Sequence, residues 1–488
     1  MRSSLRQILS TAVGAAALMG AFVAPVAAET LPEVIALAYQ SNPTLLSQRA
    51  QLRAQEETYN QARSGFRPTV SLGASNRDTN TQGGPDYSYN SASITASQAI
   101  FTGGRTSNAL RSAEAQILAA RAGLRRTEAS VMQTVIQAYI DVRRDMESLR
   151  IRQENVAVLK RQLEEAKARF EVGEITKTDV NQAAARYAAA QAQLAAAQSQ
   201  LASSRAGYTS VVGQAPGDLA QEPELSQIPA SVDEAFANAE RNSPILQQAD
   251  YAEQASRARI DAAKSEMMPS VSLQAQLAFT DQAGALSGRN SGNYDRNLTT
   301  SAVVSQPLFT GGVTASRIRQ AVETNVSDRL QMDVAHRSVV QSVSQAWAQL
   351  LATRSAITAN EEQVRATTVA FEGTKQENQV GLRTTLDVLN AEQELRNAQL
   401  SLVNARRDSY LAGAQLLNAM GALEARNLSA GVTVYDAEGR FKSIKSGWTI
   451  TPWDKVVEAI DGIGSRKIES RQPAEDAPIA TAKPSGGR

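Results

Sequence analysis

Two segments of the chain repeat one another at matching positions, which sharply restricts the folds open to it. Arg67-Pro68-Thr69-Val70-Ser71-Leu72 leads to Gln98-Ala99-Ile100-Phe101-Thr102-Gly103-Gly104, and Met268-Pro269-Ser270-Val271-Ser272-Leu273 leads to Gln306-Pro307-Leu308-Phe309-Thr310-Gly311-Gly312. The correspondence continues through Val172-Gly173 and Val380-Gly381 to Gly213 and Gly421, so a unit of about 200 residues stands in tandem. Each copy pairs two strand-like stretches with a very long helical pattern. The expected segmentation is 1–28 as a cleaved leader, 29–222 and 223–430 as the two copies, and 431–488 as a strap with a disordered tail.

Charge and cysteine content remove several function classes. Fifty Lys and Arg face 49 Asp and Glu, and no basic cluster is interleaved with aromatics, so no nucleic-acid partner is expected. Arg2 and Arg6 precede an apolar run over 12–26 that ends in small residues at Val26-Ala27-Ala28, the pattern of a secretory signal. Cysteine is absent, so neither disulfides nor a lipidated cysteine can form. Beyond the leader no run of about 18 apolar residues occurs, so any membrane crossing must be made by strands.

Periodicity assigns the elements within each copy. Leu31, Val34, Ile35, Ala38, Leu45 and Leu46 form a helical stripe broken at Asn42-Pro43, and 231–263 repeats it around Ser243-Pro244. After Pro68 and Pro269 the period falls to two, and returning strands are expected at 87–101 and 298–309. Over 105–172 there is no proline and only Gly123, which predicts a rod on the order of 100 Å long. Val135, Val142, Leu149, Val156, Leu163 and Phe170 recur every seven residues, as do Val343, Leu350, Ile357, Val364 and Phe371. Gly173 and Gly381 end the rods, and a second antiparallel helix returns in each copy. The pattern fades after Ala430, where a short strand pair or an irregular strap is expected.

Four strands cannot close a barrel, and open edges in hydrocarbon would leave backbone groups unpaired at several kcal/mol each. Strands that span a bilayer therefore require several chains to share one wall, and repetition alone does not choose between two, three or four. Phe101 and Phe309 suit one membrane interface, and Tyr87, Tyr89 and Tyr294 the other.

The Leu31 to Asn42-Pro43 opening, the Pro-x-Val-x-Leu strand starts, the boundaries at Gln98 and Gln306, and Val380-Gly381-Leu382-Arg383-Thr384-Thr385-Leu386-Asp387-Val388-Leu389-Asn390-Ala391 resemble the TolC-type outer-membrane channels of efflux pumps and type I secretion. The resemblance covers about residues 29–425. It implies an α+β membrane protein: a homotrimer in outer-membrane lipid with a twelve-stranded barrel continuous with a periplasmic α-helical barrel. It also implies a passive exit duct, opened at its coil tips by a periplasmic adaptor (membrane fusion) protein and an inner-membrane ABC or proton-driven transporter. By the same likeness Val172, Gly173, Val380, Gly381 and Leu382 are the adaptor-contact tips. Arg383 would hold the closed state through Thr178 and Asp179 of the neighbouring coil. Asn378 stands where the family has a Tyr partner, and Asp387 matches the first of two constriction acids while Asn390 replaces the second.

Simpler readings stand beside these. Thr176 with Asp179, and Thr384 with Asp387, have the spacing of capping boxes at helix starts. His336, the single histidine, has no ligand-spaced companions, and no catalytic triad, phosphate loop or metal cluster is visible, so neither catalysis nor a cofactor is expected. The competing function class is a trimeric coiled-coil structural or adhesive envelope protein, which predicts heptads running in one continuous direction.

Overall fold

The computed structural model describes residues 28–80, 82–84, 87–225, 227–284, 294–429, 432–446 and 453–465. The expected leader at 1–28, save its last residue, and the expected disordered tail lie outside the described residues.

The duplication is visible element by element. The first copy runs α1 (Leu31–Ser41), α2 (Pro43–Arg63), β1 (Thr69–Thr79), β2 (Tyr87–Phe101), α3 (Arg105–Glu171) and α4 (Lys177–Val212). The second runs α5 (Val232–Asn242), α6 (Pro244–Ser265), β3 (Ser270–Gly284), β4 (Asp295–Ser305), α7 (Val313–Gln379) and α8 (Thr385–Ala419). Both long rods contain 67 residues, about 100 Å of helix. Proline at the first position of α2 and of α6 starts a new helix where the previous one stops, because it needs no N–H partner there.

The four strands form one antiparallel sheet in the order β1-β2-β3-β4. Its register sorts the side chains into two faces. Leu72, Ile94, Leu277 and Leu298 lie in one row, flanked on the same face by the rows Val70, Ala96, Ala275 and Thr300 and Ala74, Ala92, Phe279 and Arg296, so the face is mainly apolar. Ser71, Thr95, Gln276 and Thr299 form an opposite-face row, as do Gly73, Ser93, Ala278 and Asn297. Leu72 and Leu298 are exposed in the protomer, so the apolar face is not a core of this chain. The outer edges of β1 and β4 have no strand partner among the described residues.

The main core instead fills the belt where helices from both copies meet. Ile35, Leu45, Met132, Val135, Ile136, Tyr139, Tyr208, Val343, Leu350 and Leu416 are all buried there. Tyr139 satisfies its hydroxyl by donating toward the carbonyls of Glu29 and Ala220, at 3.0 and 2.7 Å. Leu46, expected on the buried stripe, is exposed, because the buried face narrows in α2 to Leu45, Arg49, Leu52, Glu56 and Tyr59, which leaves Leu46 at its edge.

Two further differences concern element ends. β4 stops at Ser305, so Phe309 lies beyond the strand on an exposed connector; Pro307 has no N–H to extend the ladder. A short α9 (Ala425–Leu428) ends the second copy, and the described residues of the C-terminal strap hold two helices, α10 (Ala437–Ser446) and α11 (Asp454–Gly462), where a strand pair or an irregular strap is expected. Phe441 of α10 packs edge-on against Tyr59 at 5.4 Å. The α11 end closes over the β2–α3 turn so tightly that a Cβ on Gly104, which sits at φ +87°, would meet Gly464 backbone at 2.8 Å.

Candidate functional site

The coil tips at the far end of the rods are built the same way in both copies. The α3 rod ends with Val172 and then Gly173 at φ +81°, a left-handed position glycine takes without steric cost. The Gly173 and Glu174 amides donate to the carbonyls of Phe170 and Arg169 at 3.0 and 2.9 Å, closing a Schellman turn. Gly381 and Leu382 repeat this on Asn378 and Glu377 at 3.0 and 2.9 Å. Two residues later the next helix begins with a reciprocal cap. The Asp179 carboxylate accepts from the Thr176 amide and hydroxyl at 3.0 and 2.8 Å, and Asp387 accepts from Thr384 at the same distances. The threonine hydroxyl and then its amide hold each carboxyl below the usual aspartate range. Val172, Val380 and Leu382 are each more than two-thirds exposed on these turns.

The expected latch residues are placed as follows. Arg383 Nε pairs with Glu377 Oε2 at 2.8 Å inside its own coil, and Asn378 Nδ2 donates to the Arg383 carbonyl at 2.8 Å. Thr178 and Asp179 are not joined to Arg383 by any hydrogen bond or ion pair among the described residues of the protomer, and Asp179 is already engaged by Thr176. Asn390 does face the other coil, where its Oδ1 accepts from Arg186 Nη2 at 3.1 Å.

A tie between coils that sequence reasoning missed lies just above the tips. Glu392 is 1% exposed, and its Oε2 accepts from Gln162 Nε2 of α3 at 2.8 Å. Arg396, one turn along α8, approaches Glu392 at 3.7 Å and Glu154 of α3 at 3.6 Å. Burial raises the Glu392 carboxyl above the usual glutamate range, and Arg396 opposes that shift. Leu159, Ala190 and Leu389 form a small core at the same level. The sequence signal was available, since Glu392 falls four residues after Val388 and three before Leu395 on the apolar stripe.

At the sheet the expected aromatic interface is only partly formed. A bulge at Ile100 shifts the register so that Phe101 stands opposite Val271, on the apolar face, instead of following Ala99 and Ser97 onto the polar one. Tyr89 pairs with Arg77 in a row of the polar face, so the pleat turns it away from the apolar side expected for it. Tyr294 is exposed immediately ahead of β4, and the Tyr87 side chain lies outside the described residues.

The family model described as outer membrane efflux protein matches residues 34–214 and 235–422. The chain is 34% identical over 422 residues to the outer membrane efflux protein BepC of Brucella suis biovar 1, covering 86% of this chain and 91% of the relative. It is 30% identical over 439 residues to the outer membrane protein TolC of Vibrio cholerae, covering 88% and 99%. Among solved structures it superposes on the outer membrane protein VceC of Vibrio cholerae with a TM-score of 0.68 at 22% identity, over 80% of this chain and 96% of that one. The two matched repeats, the sheet with one apolar and one polar face, and the paired rods thus have one account: the chain belongs to the outer membrane efflux protein family and resides in the outer membrane.

Proposed function

We propose that the chain is the exit duct of a tripartite efflux pump or type I secretion system, formed when three copies join their sheets into a twelve-stranded barrel above a helical periplasmic barrel. The observation that carries the reading is the protomer's sheet. It has a lipid-compatible face, a polar face and two unpaired edges, and hydrocarbon tolerates such edges only when copies close the ring. Strands of 11 to 15 residues suffice to cross a bilayer at a tilt of about 45°. The rods return on themselves as antiparallel pairs, which the adhesive coiled-coil alternative does not require.

Within this reading the exposed Val172, Val380 and Leu382 are the contacts for a periplasmic adaptor. Asp387 of each protomer contributes one carboxylate to the constriction, while Asn390 adds none. The single-acid ring gives weaker cation preference than a paired one. The energy source and cargo choice belong to an inner-membrane transporter. The test is recording from the purified, detergent-extracted assembly in planar bilayers, together with its mass by light scattering. A conducting trimer is expected, and a particle with no conductance in any condition would favour the adhesive alternative.

A further inference from the structure

We propose that Glu392, acting through Gln162 and Arg396, is the positioning residue that fixes α8 against α3 and sets how far above the tips the two coils can part. The inference rests on the reading of the chain as a gated duct. Four polar ties run down the antiparallel α3–α8 contact: Asn418 to Gln133, Arg407 to Asp141 at 2.8 Å, Arg396 to Glu154 at 3.6 Å, and Gln162 to Glu392 at 2.8 Å. They differ in burial. The Arg407 and Asp141 side chains remain about a quarter and a fifth exposed, and Glu154 nearly half, whereas Glu392 is sealed among Leu159, Ala190 and Leu389. An exposed ion pair contributes little because water and salt screen it, but a buried carboxylate stripped of its donor pays its desolvation in full. The Glu392 tie is therefore the one that α8 cannot leave cheaply.

Its place along the rod gives that cost a mechanical meaning. Beside it Arg186 reaches Asn390 from α4, and closer to the tips no hydrogen bond or ion pair joins residues 163–182 to 377–389 among the described residues. Arg383 is held by Glu377 in its own coil, and the apolar residues Val172, Val380 and Leu382 face outward. The part of α8 below Glu392 is two turns of helix, roughly 10 Å. That segment meets the other coil through the apolar contact of Leu389 and the exposed Asn390–Arg186 bond, and separation above it requires Glu392 to give up Gln162. Glu392 Oε1 has no hydrogen-bond partner and Arg396 Nε is likewise buried without one, so the pair is poised rather than saturated.

The experiment compares full-length wild type with Glu392→Ala, Gln162→Ala, Glu392→Gln and the Glu392→Ala/Gln162→Ala double variant as purified trimers in planar bilayers. Glu392→Ala and Gln162→Ala are expected to raise the ratio of high- to low-conductance states, by about tenfold for the loss of one buried hydrogen bond. The double variant should go no further than Glu392→Ala, because the two residues share one interaction. Glu392→Gln keeps an acceptor for Gln162 and should stay within about twofold of wild type. If Glu392→Ala fails to assemble, Gln162→Ala and Glu392→Gln still decide. Wild-type gating in Gln162→Ala, full additivity in the double variant, or a Gln variant as disruptive as Ala would overturn the inference while leaving a conducting wild type as a duct. A wild type that never conducts would remove the duct reading itself.

Discussion

One carboxylate joins the C-terminal strap to the start of a 67-residue rod. Asp461 Oδ1 accepts from the Thr102 amide at 2.6 Å, its hydroxyl at 2.8 Å and the Gly104 amide at 3.2 Å, while Oδ2 accepts from the Ser107 amide and hydroxyl at 3.1 and 3.0 Å. It supplies from a distant segment the N-terminal cap that Gly104 cannot provide. Asp461→Ala is expected to lower stability by about 2–4 kcal/mol, since it strands several buried donors; a urea midpoint at the wild-type value would refute this. Asp387 makes the opposite case, because its cap was legible from the Thr-x-x-Asp spacing alone. Its carboxyl is held below the ordinary value, so its contribution is complete above the unfolded pKa of about 4 and fades as pH falls through the lower folded value. Protection factors of the amides at residues 385–388, which remove the intrinsic base catalysis of exchange, should accordingly be insensitive to pH between about 5 and 7, where the carboxyl is ionised, and should fall in Asp387→Ala. Arg383 is a different case: the likeness implies Thr178 and Asp179 of the neighbouring coil as its partners, and within the protomer Glu377 six residues back holds the guanidinium.

At the scale of elements, what could be read in the chain was what local chemistry dictates. Period-two alternation and the long proline-free rods are properties of consecutive residues, and the structure has β2 at Tyr87–Phe101 and α3 at Arg105–Glu171. The end of β4 was misread because apolar Leu308 and Phe309 continue the composition of a strand after Pro307 has ended its pairing. The strap was misread because its reason for being helical lies elsewhere in the chain. Phe441 gains its place from Tyr59 and from the Arg121 guanidinium 4.7 Å above its ring, and Arg440 meets the fully buried Glu56 at 3.1 Å. Phe441→Ala should cost about 3 kcal/mol and expose α10 to protease while leaving the coils folded. Unchanged proteolysis within residues 432–446 would show that the strap is held by its charges instead. At the tips, Gly381→Ala forces a Cβ into the left-handed region at φ +79° and should lower stability by about 1 kcal/mol.

For the whole molecule, the number of copies was beyond the reach of one sequence, because closure is decided by edges that a single protomer leaves bare. The repeat implies like halves, but among the described residues β4 and β1 are not paired. The sheet nevertheless carries a test of which face meets lipid. Leu72, Ile94, Leu277 and Leu298 form a row through the middle residues of both long strands, Ile94 in β2 and Leu277 in β3. In a closed barrel that row faces the hydrocarbon. An arginine there must snorkel or drag water inward at about 2–4 kcal/mol, whereas one on the lumen side stays hydrated. Leu298→Arg and Thr299→Arg place the same charge on adjacent residues of one strand, so their difference isolates the face from the strand. Leu298→Arg should reduce the amount of assembled protein recovered from outer membranes. Thr299→Arg should assemble normally and shift ion preference toward anions. The reverse ranking would mean that the polar rows face outward, and a ring of such sheets could not then enclose water within lipid.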